Sequence, residues 1–150
     1  MKQSPESSPT LSAAEIQAAV ALRLEKYREL SFLEQFAMFM GMAQLLELGL
    51  KGLLHREFGV AIEDTERWTL GRTAHVLREK GVRGDFCTLL ASVVLHRNHI
   101  AHELLANEAL LRSLLSKSTR LNIRELEKGI YEMEQLVFLH DWCEEHAAWK

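Results

Sequence analysis

The sequence predicts an all-α fold, an antiparallel bundle of four to six helices, from three observations. First, the only prolines are Pro5 and Pro9, so no proline interrupts a helix beyond the first ten residues. Second, apolar side chains recur at three- and four-residue steps over long segments, which is typical of amphipathic helices. Third, no window shows the alternation of polar and apolar residues that marks a β-strand. Short polar segments between the periodic stretches favour antiparallel neighbours.

We expect a single domain over residues 11–150 after a disordered tail over residues 1–10. The chain has 150 residues, a length typical of one domain. The tail is polar, rich in Ser and Pro, and lacks the apolar core of a signal peptide. Because no run of 18 apolar residues occurs, we expect no membrane span. Cys87 and Cys143 form no metal-like or C-x-x-C grouping, which favours a cytoplasmic protein with reduced thiols.

The first two helices each begin with a capping box. Ser12 and Glu15 have the required spacing for the first helix, which we expect to run to about Leu30. Ser31 and Glu34 repeat this pattern, so a second helix, or a kink, is expected there.

The second helix is predicted over residues 32–58, with Gly59 as the residue that ends it. Small residues share one of its faces, and each glycine in a helix costs roughly 1 kcal/mol. We therefore expect close approach of a neighbouring helix, the alternative being a groove for a ligand or a partner's backbone. The small residues are Ala37, Gly41, Gly49 and Gly52.

Polar caps also place the later helices. Thr69 is the predicted N-cap of a third helix ending near Lys80, and Asp85 is that of a fourth helix over residues 86–106. A shorter helix is expected over residues 108–115. Asn122, followed three residues later by an acid, is the predicted cap of the last helix. That helix has an apolar stripe of Ile123, Leu126, Ile130, Met133 and Val137.

A polar block interrupts the apolar fourth helix. Residues 96–103 include three histidines, an arginine, an asparagine and a glutamate. Ionisable groups inside a core helix are costly unless they are paired or solvated, so we expect the block to face a cleft or an interface. Asn98 and His102 are four apart and share a face. Arg97 and His102 are five apart, about 140° around an ideal helix, and converge on one ligand if the helix ends or widens near Ala101.

These residue types suit cleavage of an RNA backbone. A guanidinium such as Arg97 binds the scissile phosphate and neutralises the charge that develops on it. An imidazole such as His102 moves protons at the 2′-hydroxyl or at the leaving oxygen. Because the neighbouring 2′-hydroxyl is the nucleophile, no metal or cofactor is required. One arginine and one histidine make half of an acid–base pair, and a homodimer supplies the other half.

Residues 97–102, in the form Arg-Asn-x-x-Ala-His, resemble the R-x(4)-H motif of the HEPN family. The segment 69–71 and the long second helix, with Glu34 and Glu47, resemble the layout of the same family. The resemblance implies an all-α bundle, usually a homodimer, and for many members a metal-independent endoribonuclease. It implies a site in the dimer cleft formed by Arg97, Asn98 and His102.

Two functional hypotheses follow. The first is an endoribonuclease that acts as a toxin or antiphage defence component, with RNA, a second copy and an antitoxin or regulatory protein as partners. The alternative is a non-catalytic HEPN-like interaction or regulatory module that binds a protein partner or RNA. In the alternative, Arg97, Asn98 and His102 form a structural polar network.

The charge of the chain is unevenly distributed, although its net value is −3. Residues 67–83 have five Lys or Arg against one acid, and residues 112–124 have four and no acid, whereas residues 125–150 have seven acids and two lysines. The net charge argues against strong non-specific binding of nucleic acid, but the distribution predicts a basic side. Arg72 and Arg78 are candidate RNA-binding residues there, with a solvated face as the alternative.

His99 and Glu103 are further candidates for RNA contact, because they lie four apart on the motif helix. A surface ion pair is the alternative for them. Together with His96 they suggest a metal stripe, but a third strong ligand is absent from the pattern, so no metal site is predicted.

Overall fold

The computed structural model describes residues 10–104, 106–109 and 120–150, and these residues contain no β-strand. The described chain forms an all-α helical bundle, as the sequence predicts. The predicted tail, apart from Thr10, and most of the predicted short helix at 108–115 lie outside the described residues; residues 106–109 are helical. Besides residues 106–109, the described part of the chain has the α-helices α1 (Ala13–Leu24), α2 (Phe32–Phe58), α3 (Ile62–Thr65), α4 (Leu70–Glu79), α5 (Gly84–His99) and α6 (Arg120–His146).

Both predicted capping boxes are formed. In α1 the Ser12 hydroxyl accepts from the Glu15 amide while the Glu15 carboxylate accepts from the Ser12 amide, and Ser31 opens α2 in the same way. α1 is shorter than expected, because a 3₁₀ turn, Glu25–Tyr27, follows it. That turn buries the Tyr27 ring against the bundle.

Other boundaries show where local patterns succeed and fail. α2 has the predicted bounds, and Gly59 ends it with φ +68°, a left-handed conformation that favours glycine. Thr69 caps α4 as predicted. Asp85 is not the N-cap of α5, since the helix begins at Gly84. The Asp85 carboxylate pairs with Arg83 and accepts from the Phe86 amide.

Asn122 is also not a cap. α6 begins at Arg120, and the Asn122 side chain lies inside its first turn, where Nδ2 donates to Glu108 Oε2 at 3.0 Å. The one-turn helix α3 was not predicted either. At Asn122, the hydrogen bond to Glu108 takes the place of the predicted cap. α3 has only four residues, too few for a periodic pattern in the sequence.

α6 is the central helix of the bundle and packs against α1, α2 and α5. It is antiparallel to α5, because Ser92 and His99 pair with Glu132 and Glu125 in reversed order. The predicted apolar stripe of α6 faces the core at Leu126, Ile130 and Met133.

α2 runs beside α6 with Phe39 against Gly129, and Arg56 is hydrogen-bonded to Glu144. The predicted close approach of a helix to its small residues is wrong at Gly41 and Gly52. A Cβ built at either position meets no described atom within 4 Å.

α2 is long and apolar enough to cross a membrane by length and composition, with a mean hydropathy of 1.3 over an 18-residue window. A third of that window is buried inside the protein, and core helices of soluble proteins pass the same test. The absence of a membrane span and the cytoplasmic location therefore stay predictions.

Candidate active site

Arg97, Asn98 and His102 lie within six residues of one another in the chain, where α5 passes into a π-helix. The Asn98 and His102 side chains are exposed and Arg97 is half-buried. Arg97 Nη1 donates to Asn98 Oδ1 at 3.3 Å. His102 makes no hydrogen bond or ion pair with any other described residue. The three groups are thus available to a ligand or a partner at this surface.

The helix widens at the motif. α5 ends at His99, and Ile100–Leu104 continues it as a π-helix. A π-turn has hydrogen bonds that span five residues rather than four, so it rotates less per residue than an α-turn. His102 is therefore turned toward the side of Arg97 relative to an ideal α-helix. This is the widening near Ala101 that convergence of the two groups requires, and such π-turns are frequent at functional sites.

The polar groups continue an exposed stripe along α5. Ala91, Leu95, Asn98 and His102 are all exposed and follow one another at steps of four, three and four residues. Leu95 is 72% exposed. The stripe thus places exposed apolar residues, Ala91 and Leu95, next to the motif.

A groove of about 320 Å³ runs beside this stripe, between α4 and α5. Gly71, His75 and Arg78 line it from α4, and Ala91 and Leu95 from α5. Arg78, a predicted RNA-binding residue, therefore lies at the groove. The floor is mostly apolar, so the groove has the character of a contact surface with basic edges.

Arg72, the other basic candidate, has a different setting. Its guanidinium lies 5.5 Å from the centroid of the Trp68 ring, a cation–π contact, and the residue is exposed. Its role in binding RNA stays a prediction.

His99 and Glu103 form the ion pair that the sequence suggests, with Nδ1 3.2 Å from the Glu103 carboxylate. His99 also reaches across to α6, where Nε2 lies 2.7 Å from Glu125 Oε2. One α-helical turn earlier, His96 pairs with Glu132 at 3.0 Å. These histidines attach the motif helix to α6, and contact of His99 or Glu103 with RNA stays a prediction.

The environment of His99 favours its charged form. The hydrogen bond to Glu125 raises the pKa of His99, burial lowers it, and the charges of Glu125 and Glu103 raise it further. Sequence reasoning missed Glu125 because it lies 26 residues from His99. No local spacing pattern carries a contact at that separation.

The described residues contain no cluster of three or more His, Cys, Asp or Glu side chains arranged to hold a metal ion. No protein-family model, curated protein or solved structure matches the chain. The HEPN-like assignment therefore depends on residues 97–102 and the helical layout.

Proposed function

We propose that the protein is a metal-independent endoribonuclease of HEPN type, a toxin or antiphage defence component, with its active site in a cleft between two copies. The observation that carries this proposal is the position of Arg97, Asn98 and His102 at the surface, where α5 passes into the π-helical turn. A purely structural network satisfies its polar groups with partners inside the fold. His102 has no such partner among the described residues.

The chemistry assigns one role to each residue. Arg97 binds the scissile phosphate and stabilises the negative charge that develops on its oxygens. His102 removes the proton of the 2′-hydroxyl, whose oxygen then attacks phosphorus and displaces the 5′-oxygen. Asn98 holds the Arg97 guanidinium, to which it is already hydrogen-bonded. The products are a 2′,3′-cyclic phosphate and a 5′-hydroxyl.

The leaving 5′-oxygen needs a proton, and a second His102 supplies it when two motif helices face each other. The exposed stripe of α5 favours that arrangement, because Leu95 gives two facing copies an apolar contact next to the motif. Arg78 at the neighbouring groove adds positive charge where the RNA backbone would pass.

The test is cleavage of single-stranded RNAs by the purified protein. His102→Ala removes the proton carrier, so we expect the rate to fall about 10²–10⁴-fold. Arg97→Ala removes the phosphate-stabilising charge, and a fall of about 10²–10³-fold is expected. Neither side chain packs in the core, so helicity by circular dichroism should be unchanged.

His146→Ala is the matched control, since His146 is another exposed histidine, and its hydrogen bond and its ring contact are both with Trp142 on its own helix. It should cleave like the wild type, and only the wild type and this control should slow growth on overexpression. If the wild-type protein leaves varied RNAs intact while His102→Ala changes the melting temperature, the interaction module replaces the nuclease as the better hypothesis.

A further inference from the structure

The outer side of α2 is an apolar face that the described chain leaves uncovered. Leu45 and Leu48 are 70% and 69% exposed, and Leu33 is 57% exposed. Small residues lie between these leucines at steps of three or four. We define the α2 outer face as Leu33, Ala37, Gly41, Leu45, Leu48 and Gly52.

The described residues give no reason for the glycines of this face. Helix glycines destabilise a helix unless something approaches the backbone. No described atom lies within 4 Å of a Cβ built at Gly41 or Gly52. The face also contains three of the eight exposed large apolar side chains of the described residues. Exposed apolar patches of this kind mark contact surfaces.

The order of side-chain sizes on the α2 outer face is self-complementary. From the N-terminal end it reads large, small, small, large, large, small. Read from the other end, each large residue falls opposite a small one. An antiparallel copy thus sets a leucine against a small residue at every position, as ridges fit into grooves. The pairs are Leu33 with Gly52, Ala37 with Leu48, and Gly41 with Leu45, about a two-fold axis near residues 42–43.

The helix dipoles favour the same arrangement, because antiparallel pairing opposes the two dipoles of α2, whereas parallel pairing would align them. The charges at the ends of the face do not decide it. Glu34 accepts from the Ser31 amide, and Arg56 is paired with Glu57 and Glu144 within its own chain.

We propose that the α2 outer face binds a second copy of this chain as an antiparallel helix pair. This face shares no residue with the exposed stripe of α5, so the inference goes beyond the proposed function. If both surfaces are used, their two different two-fold contacts give a particle of more than two copies.

The first test is sedimentation velocity of the full chain. Leu48→Glu places a carboxylate opposite Ala37 of the other copy, and we expect the dissociation constant of this contact to rise at least roughly tenfold. Leu22→Glu is the matched control, because Leu22 is 71% exposed on α1 and lies outside the face. It should leave the mass unchanged.

Gly41→Leu separates association from folding. A Cβ at this position meets no described atom of its own chain within 4 Å, and leucine is a better helix former than glycine. We therefore expect a higher melting temperature in dilute protein together with weaker association, because two large residues then meet. An unchanged mass in both Leu48→Glu and Gly41→Leu overturns the proposal.

Crosslinking with a short bis-maleimide tests the direction of the pair. Gln44 lies close to the proposed axis, so Gln44→Cys should crosslink to itself. Leu33→Cys should not, because the two copies of residue 33 are about 28 Å apart along the helices at 1.5 Å per residue. The native Cys87 and Cys143 are buried, and burial raises the pKa of both thiols. Both thiols should therefore react slowly, and the wild-type protein measures the background crosslinking. Crosslinking of both variants contradicts the antiparallel arrangement.

Other outcomes separate this inference from the proposed function. If Leu48→Glu keeps the sedimenting mass of the wild type while Leu95→Glu lowers that mass, the two copies contact each other at α5 alone and the α2 proposal fails. Monomeric wild-type protein that co-sediments with phosphatidylcholine–phosphatidylglycerol vesicles, when Leu48→Glu does not, assigns the face to a membrane and also overturns it. If the protein cuts no RNA but Leu48→Glu still dissociates it, the α2 pair stands without the nuclease.

Discussion

His99 and His102 lie three residues apart, yet their surroundings differ completely. His99 is held between Glu103 and Glu125, whereas His102 projects from the surface without a partner among the described residues. A histidine fixed in two ion pairs is a poor proton shuttle, since its charged form is favoured. In the proposed nuclease, His102 therefore serves as the general acid or base, and His99 positions the helix that carries it.

The pKa of His99 makes a prediction about stability. Its folded-state value is raised, mainly by Glu125, so the pair stabilises the fold fully below the unfolded pKa of about 6.5. That contribution is lost as the pH rises through the folded-state pKa. In urea unfolding, the free energy of unfolding of the wild type should therefore exceed that of His99→Gln by more at about pH 5 than at about pH 9. A gap that widens toward alkaline pH contradicts this assignment.

At the residue scale, the sequence alone identifies the residues of the motif but not the residues that contact the motif helix. Arg97, Asn98 and His102 could be selected because their types and spacing lie within six consecutive residues. The partners Glu125 and Glu132 could not, because they are brought to α5 only by the packing of α6.

At the scale of elements, the widened turn depends on what packs beneath it. Ile100, its first residue, is fully buried, and its Cδ1 would lie 2.7 Å from a Cβ at Gly129 on α6. Gly129→Ala should therefore push Ile100, cost about 1–3 kcal/mol and slow RNA cleavage. Gly52→Ala, where the added methyl meets no described atom, should instead stabilise α2 by about 1 kcal/mol. Urea unfolding should show a lower free energy of unfolding for Gly129→Ala and a higher one for Gly52→Ala. Changes of the same sign in both variants contradict this packing.

The junction of α1 and α2 is attached to α6 through a buried carboxylate. Glu134 is fully buried, and its Oε1 accepts from the Tyr27 hydroxyl at 2.6 Å and lies 2.6 Å from Lys26 Nζ. Burial, followed by the hydrogen bond to Glu134, raises the pKa of Tyr27, so the phenol remains a donor. Tyr27 lies in the 3₁₀ turn that shortens α1. No sequence pattern around residue 27 indicates its hydrogen bond to Glu134.

Tyr27→Phe removes that donor from a buried carboxylate, so unfolding should become easier by about 1–3 kcal/mol. Tyr131→Phe is the matched control, because Tyr131 is exposed on α6 and its loss should be within about 0.5 kcal/mol of neutral. Denaturant titration of the two variants provides the comparison. Equal effects would show that the Tyr27 hydroxyl contributes nothing to the junction.

The sequence predicts the ends of a helix correctly where the signal lies within one turn, as at Ser12, Ser31 and Gly59. The predicted caps are wrong at Asp85 and Asn122, whose side chains bond to other partners. The widening at Ile100–Leu104 was expected only as a condition for convergence. Local chemistry predicts the elements, and tertiary contacts decide how their ends are shaped.

For the whole molecule, the bundle presents the motif rather than enclosing it. α6 holds α1, α2 and α5 together, and the polar groups of residues 97–102 are left at the surface. In the proposed mechanism, a single chain supplies one phosphate-binding arginine and one proton carrier, which is half of the chemistry that RNA cleavage needs. The all-α fold could be predicted from periodicity and capping alone. The two surfaces that we propose to bind a second copy could be identified only from the exposure of Leu45, Leu48 and Leu95 in the structure.

The central claim is that Arg97 and His102 cleave RNA through its own 2′-hydroxyl. The most direct measurement is end-group analysis of a labelled single-stranded RNA incubated with the wild-type protein in excess chelator, beside His102→Ala. We predict fragments with 2′,3′-cyclic phosphate and 5′-hydroxyl ends, formed without added metal and at least about 100-fold more slowly by the variant. Intact RNA, fragments with 5′-phosphate ends, or equal cleavage by His102→Ala would contradict the account.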